Sequence, residues 1–158
     1  MTEQSALTAQ VVKAVTVPLP PAAAYELFTA RMAEWWPLET HSIAADTHEG
    51  RVRATAVRFE PGVGGRIVET VSDGTEADWG RVLEWEPPQR VAFSWKPNLG
   101  PGPHTRIEVT FSPAGAGTRL ELVHTGWEAF GAFGEDRRRG YTTGWDPVLQ
   151  RLVAAAGG

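Results

Sequence analysis

Cysteine is absent from this 158-residue chain, and its absence excludes several kinds of chemistry. Without cysteine there is no disulfide framework, no thiolate nucleophile and no zinc site built on sulfur ligands. Proteins without disulfides are typical of reducing compartments, so we expect this protein to be cytoplasmic.

Long apolar runs and an excess of positive charge are missing as well. No part of the sequence approaches the roughly 20 apolar residues that a membrane-spanning helix needs, and membrane insertion is not expected. The N-terminus lacks the basic region and apolar stretch of a signal peptide. The 15 basic and 19 acidic residues give a formal net charge of −4, which disfavours nucleic acid as a partner.

Motifs for metal binding or nucleophilic catalysis are not found either. Carboxylates and imidazoles cluster in two short segments, at residues 39–41 and 46–49. Their spacing does not match HExxH or another arrangement of three or four converging zinc ligands, and no GxSxG sequence occurs. We therefore interpret these segments as a polar loop and expect neither a metal nor another cofactor.

Tryptophan is what the sequence does have, with seven residues in all. Trp35 and Trp36 are adjacent and are followed by Pro37. Neighbouring positions on a helix point about 100° apart, so the two rings need different surroundings. We predict that Trp36 lies in the core and that Trp35 faces a gap, with Leu38 and His41 folding across the same opening.

Alternation of apolar and polar residues predicts seven antiparallel strands. They cover residues 10–19, 51–60, 66–72, 77–86, 89–96, 104–112 and 118–124. The orientation of the fourth strand stays open, because Trp79, Leu83 and Trp85 fall on one side whereas Val82 falls on the other.

Two segments have helical periodicity. The first begins at Pro20-Pro21 and is expected to end near Trp36, because a proline disfavours helical geometry in the residue before it. The second covers residues 136–155 and contains Asp146-Pro147. We predict one long helix kinked near Thr143, and two shorter helices are the alternative.

A strand, a helix, six strands and a long helix make an α+β protein, in which the sheet covers its apolar face with the terminal helix. A chain of this length fits one domain, which we place at residues 1–158 with a folded core of about 10–155. A curved sheet around one helix leaves a gap between them, and such a gap is suited to a ligand.

An ordered set of motifs resembles a known family. The matching segments are Tyr25–Phe28, Trp35–Pro37, Gly64–Arg66, Gly80–Arg90, Phe93–Trp95, Gly117–Trp127 and Gly140–Trp145. They resemble the activator of HSP 90 ATPase homologues within the START-like, or SRPBCC, superfamily. This resemblance implies a helix-grip fold, with a curved seven-stranded antiparallel sheet around a long C-terminal helix and two short helices after the first strand.

The resemblance also suggests functions, because members of the superfamily bind lipids, polyketides and other apolar small molecules. Our main hypothesis is that a small apolar or aromatic molecule binds between the sheet and the C-terminal helix. One alternative is an interaction module that stimulates a chaperone ATPase, and another is a polyketide cyclase-like or hydrolase-like enzyme using Tyr141, His124 or His41 for proton transfer. A homodimer is a further open alternative.

Candidate pocket residues are apolar or aromatic side chains, with two histidines, on the faces that should surround this gap. They are Trp35, Leu38, His41, Trp79, Phe93, Trp95, Val109, His124, Trp127, Tyr141, Trp145 and Leu149. For each aromatic residue, a place in the core is the competing interpretation. His124 shares the apolar face of the last strand with Leu120 and Leu122, as either a hydrogen-bonded core histidine or a functional group.

Overall fold

The structure is a computed structural model, and it describes residues 10–42, 52–95, 104–128, 131 and 134–157. Seven strands form one antiparallel sheet that curves around the C-terminal helix. They are β1 (Val11–Val17), β2 (Ala54–Phe59), β3 (Arg66–Val71), β4 (Glu76–Glu86), β5 (Arg90–Trp95), β6 (Thr105–Ala114) and β7 (Gly117–Thr125). Their spatial order is β1-β7-β6-β5-β4-β3-β2, which confirms the predicted α+β, seven-stranded helix-grip fold.

The first helix, α1 (Pro21–Phe28), is shorter than predicted. It begins with a proline at its first position, where the missing N–H is not needed. It ends at Phe28, since the backbone of Thr29 leaves the helical region at φ −97° and ψ −83°. Both the amide and the hydroxyl of Thr29 donate to the carbonyl of Tyr25 and so close the last turn. A separate 3₁₀ helix follows at Met32–Glu34, so the single helix to Trp36 was wrong and two short helices are present.

The second helix, α2 (Gly134–Ala155), is continuous over 22 residues with Pro147 inside it. The alternative of two shorter helices is therefore wrong. The apolar side of α2 is buried against the sheet through Trp145, Val148 and Leu152. Near its middle, Asp146 forms an ion pair with Lys13 of β1 at 2.9 Å.

Two β-bulges settle the orientation of β4, which the sequence pattern left open. In β4, Trp79 has no partner residue in the register with β3, and Leu83 has none in the register with β5. Each bulge adds one residue, so the spacing of inward side chains becomes three instead of two. Trp79 and Val82 are consequently buried, Trp85 is half-buried, and Leu83 is exposed.

Candidate functional site

Both adjacent tryptophans are buried in the core, as we predicted for Trp36, whereas we expected Trp35 to face a gap. Trp35 is in the core, where its indole N–H donates to the carbonyl of Leu27 at 2.7 Å and its ring packs on Phe28. Trp36 is the ring beside the cavity described below, and its N–H donates to the carbonyl of His41 at 2.6 Å. The prediction for Trp35 rested on a helix that continues through the doublet, but α1 ends at Phe28, so helical angles do not govern the directions of these two rings.

A cavity of about 550 Å³ lies between the segment after the 3₁₀ helix, the start of β2 and the outer side of α2. Trp36 and Leu38 supply apolar surface, and charged side chains stand beside them. Its lining residues are Ala33, Trp36, Leu38, Glu39, Ser42, Val52, Arg53, Ala54 and Arg151. Small-molecule sites commonly measure about 300 to 1,000 Å³, and the volume of this cavity lies in that range, although its lining is more polar than is usual for such sites.

Trp36 packs on three further indoles that lie behind the cavity. We call these four residues the indole cluster: Trp36, Trp79, Trp95 and Trp145. The ring of Trp36 lies 5.1 Å from Trp79, 5.8 Å from Trp95 and 5.9 Å from Trp145, measured between ring centroids. Such tilted and edge-to-face contacts add about 0.5 to 1.5 kcal/mol per aromatic pair beyond the area they bury. The cluster occupies the space between the sheet and α2.

Each inner indole N–H of the cluster has its own acceptor. Trp95 donates to the hydroxyl of Tyr141 at 3.1 Å, and Trp145 donates to Nδ1 of His124 at 3.1 Å. Trp79 donates to a carboxyl oxygen of Glu69 at 2.9 Å. Three different polar partners therefore fix the rings that back the cavity.

Glu69 is a buried carboxyl group that the sequence analysis missed. Its exposed fraction is 0%, and it pairs across the sheet with Val57 of the core. In β3 it stands two residues after Ile67, on the same face of the sheet. That alternation was visible in the sequence, where a glutamate occupies an inward position between apolar neighbours.

His124 is fully buried and both of its ring nitrogens are engaged. Because Nδ1 accepts from Trp145, the neutral ring must carry its proton on Nε2, which donates to the hydroxyl of Thr105 at 2.6 Å. Burial lowers the pKa of His124 to about 3, so the ring is neutral at physiological pH. Trp127 adds a hydrogen bond from its indole N–H to the His124 carbonyl at 3.0 Å. This is the arrangement of a hydrogen-bonded core histidine.

The remaining predicted pocket residues are spread over several places. Phe93 and Val109 are buried in the core, while Tyr141 is half-buried against His124, with ring centroids 4.9 Å apart.

Leu149 borders a second groove of about 400 Å³ between β1 and α2. Nδ1 of His41 lies 2.8 Å from the Thr40 hydroxyl. The structure describes all twelve residues that we predicted for the pocket. Leu38 alone among them lines the cavity beside Trp36.

The candidate metal loop lies partly outside the described residues, because these do not include Asp46, His48 and Glu49. Within the ranges that the structure does describe, no group of three or more histidine or acidic side chains is arranged to hold a metal ion. No helix in the same ranges has the length and apolar character needed to cross a membrane.

Comparison with known proteins decides the family. The profile of the family described as Activator of Hsp90 ATPase homolog 1-like protein matches residues 18–157. The chain belongs to this family. Its fold is that of the START-like superfamily, which confirms the resemblance that the sequence motifs indicated. No curated protein matches the chain significantly.

Several solved structures share the fold of this family member. The anthrahydroquino-γ-pyrone synthase Txn09 is 35% identical, with a TM-score of 0.62, and the match covers 92% of this chain and 95% of that one. MLL2253 from Mesorhizobium loti is 21% identical, with a TM-score of 0.61 and coverage of 92% and 94%. DynU16 from the dynemicin biosynthetic locus is 21% identical, with a TM-score of 0.63, and covers 92% of this chain but 46% of that one.

Proposed function

We propose that the protein binds a small, planar aromatic molecule in the cavity beside Trp36. The observation that carries this proposal is the place of Trp36, which is both a wall of the cavity and the outermost ring of the indole cluster. A flat ligand would pack against the part of the Trp36 ring that reaches the cavity, and this ring is held in position by a hydrogen bond to His41 and by three further indoles.

Preorganisation favours such a site, because little conformational entropy is lost when the wall is already ordered. Trp36 is 6% exposed, so its ring is held between the cluster and the cavity with little freedom to move. The cavity also has polar lining groups, and these would select among ligands of similar shape.

The comparison with Txn09 supports an aromatic ligand rather than an acyl chain. That protein is described as a synthase of an anthrahydroquino-γ-pyrone, and it matches nearly the whole length of this chain at 35% identity. The ring system in its name is planar and polycyclic. A ligand of the same general kind suits a cavity walled by tryptophan.

Calorimetric titration with three probes tests the proposal. We expect the neutral anthraquinone aloe-emodin to bind, flavone to bind more weakly, and the uncharged aliphatic alcohol 1-decanol to give no heat above dilution. Contact between aromatic rings is available to the two planar probes but not to the alkyl chain. Absence of binding by both planar probes would show that the proposed function is wrong.

A pair of filling variants tests the location. Ala33→Trp places a large ring at an exposed position that lines the cavity, and we expect it to weaken aloe-emodin binding at least about tenfold by occupying the space. Ala154→Trp is the matched control, because Ala154 is also exposed but lines the second groove. If only the control variant lost binding, the ligand would belong to the groove between β1 and α2.

A ring-closing enzyme acting on an aromatic polyketide is the second candidate function, favoured by the 35% identity with a synthase. Its test substrate is a hydroxyanthraquinone with a β-diketone side chain. Closure would join the phenolic oxygen to a ketone carbon and release one water, which mass spectrometry detects. Conversion no faster than in buffer would contradict this candidate while leaving ligand binding intact.

A further inference from the structure

We infer that the ligand of this cavity is an aromatic carboxylic acid, whose carboxylate is bound by Arg53 and Arg151. The inference rests on the proposed function, since it specifies the ligand class for the same cavity. Both arginines line the cavity, Arg53 from the residue just before β2 and Arg151 from near the end of α2.

The charge of the lining is opposite in sign to the charge of the whole chain. The cavity has two arginines and one glutamate, which gives +1 (2 − 1), whereas the chain carries −4. A local positive charge on an acidic protein would attract an anionic ligand to this position in particular. An apolar ligand alone would not require it.

The two arginines differ in how far they are already neutralised. Arg151 lies 3.4 Å from a carboxylate oxygen of Glu39, another lining residue. Arg53 has no ion pair within the ranges that the structure describes, although its backbone N–H is held by the hydroxyl of Ser72 at 3.1 Å. Arg53 thus lines the cavity from a backbone that Ser72 holds in place, without an ion pair among the described residues.

Guanidinium chemistry favours a carboxylate on a planar molecule. Arginine presents its N–H donors in a flat fork that matches both oxygens of a carboxylate, and its plane also stacks on aromatic rings. Such a ligand would place its ring system against Trp36 and its carboxylate at Arg53 and Arg151. Both ends of the molecule would then meet a matching surface.

The decisive experiment compares rhein with aloe-emodin, two anthraquinones that differ in having a carboxylate or a neutral hydroxymethyl group at one position. We expect rhein to bind about tenfold more tightly at low salt, the difference typical of one charge-assisted contact. The preference should shrink at high salt, because both arginines are exposed to solvent.

Arginine variants assign the preference to residues. Arg53→Gln and Arg151→Gln should each reduce the preference for rhein by about threefold or more, while the affinity for aloe-emodin changes less than about twofold. Arg119→Gln is the matched control, because that arginine is equally exposed but lies on β7 and pairs with Glu121 at 3.4 Å. Its binding of both ligands should equal that of the wild type.

The outcomes separate this inference from the function on which it rests. Equal wild-type affinities for rhein and aloe-emodin would overturn the carboxylate inference while the cavity remained a binding site. A preference for rhein that both arginine variants retain would overturn the assignment to Arg53 and Arg151. Failure of both anthraquinones to bind would instead overturn the proposed function.

Discussion

The indole nitrogen of Trp145 donates a hydrogen bond to Nδ1 of His124 across 3.1 Å, and this contact joins α2 to the last strand of the sheet. Only a neutral imidazole can accept at this nitrogen, because both nitrogens of a charged ring are donors. Protonation of His124 would therefore break the contact and leave two donors facing each other in the core.

We expect the stability of the protein to fall on acidification because of His124. Burial lowers the pKa of this histidine from 6.5 to about 3 in the folded protein. Below pH 6.5 the unfolded chain binds a proton that the folded chain does not, so the free energy of unfolding should decrease by up to about 1.4 kcal/mol per pH unit. The loss should continue until the folded-state pKa is reached.

Urea unfolding of the wild type and of His124→Gln, from neutral pH to about pH 4, measures this contribution. The variant should show a shallower dependence, since glutamine does not titrate. Equal slopes in the two proteins would contradict the assignment.

Replacing Trp145 with phenylalanine should cost more stability than the same change at Trp85. Trp145→Phe removes the donor to His124 and leaves a buried ring nitrogen unsatisfied, with an expected loss of about 2 to 4 kcal/mol including the lost ring area. Trp85 is half-buried at the other end of the core, beside Tyr25, so its loss should be smaller. Chemical unfolding of both variants provides the comparison.

Tyr25 should be protected from ionisation. Burial raises its pKa to about 12, and its hydroxyl donates to the carbonyl of Arg90 at 3.0 Å. The neutral form is favoured in the folded state, so this contribution is complete below pH 10 and is lost as the pH rises towards 12. In Tyr141→Phe, which leaves Tyr25 as the sole tyrosine, tyrosinate absorbance should appear well above pH 10. Ionisation near pH 10 in the folded variant would refute this.

Two glycine-to-alanine changes should have opposite effects. A Cβ at Gly80 would lie 1.7 Å from the backbone oxygen of Ser94 on β5, so Gly80→Ala should destabilise the protein by roughly 3 kcal/mol or more. Gly144 lies within the α2 helix, and a Cβ added there would have no other atom within 4 Å. Gly144→Ala should therefore stabilise the protein by about 0.5 to 1 kcal/mol, because alanine favours the helix over glycine. Melting temperatures should move in opposite directions, and a stabilising Gly80→Ala would contradict the sheet register.

Much of the fold followed from the sequence because most strands obey simple alternation. Val91 and Phe93 in β5, Ile107 in β6 and Leu122 in β7 all lie on the buried face that the pattern indicated. The strand bounds differ from expectation by three residues at most, as at β2, which begins at Ala54. Burial of one apolar face is a local signal repeated along each strand, and such a signal is readable residue by residue.

The site was less predictable because its geometry depends on irregular backbone. Bulges at Trp79 and Leu83 move the residues that follow them to the opposite face of the sheet. The amino-acid composition around these positions does not indicate a bulge. Because α1 ends at Phe28, helical geometry could not assign the directions of Trp35 and Trp36, and both rings are buried. The cavity itself joins Trp36 to Arg151, which are far apart in sequence, so its lining could not be read from any one segment.

The position of β1 has a consequence for the timing of folding. β1 lies at one edge of the sheet and pairs with β7, where Val11 faces His124, 113 positions later (124 − 11). Contacts between such distant residues form slowly, because a long loop must close before they contribute any stability. On the ribosome, β1 therefore remains without its neighbouring strand until β7 has been synthesised, and α2, which packs on β1 and follows β7, docks later still.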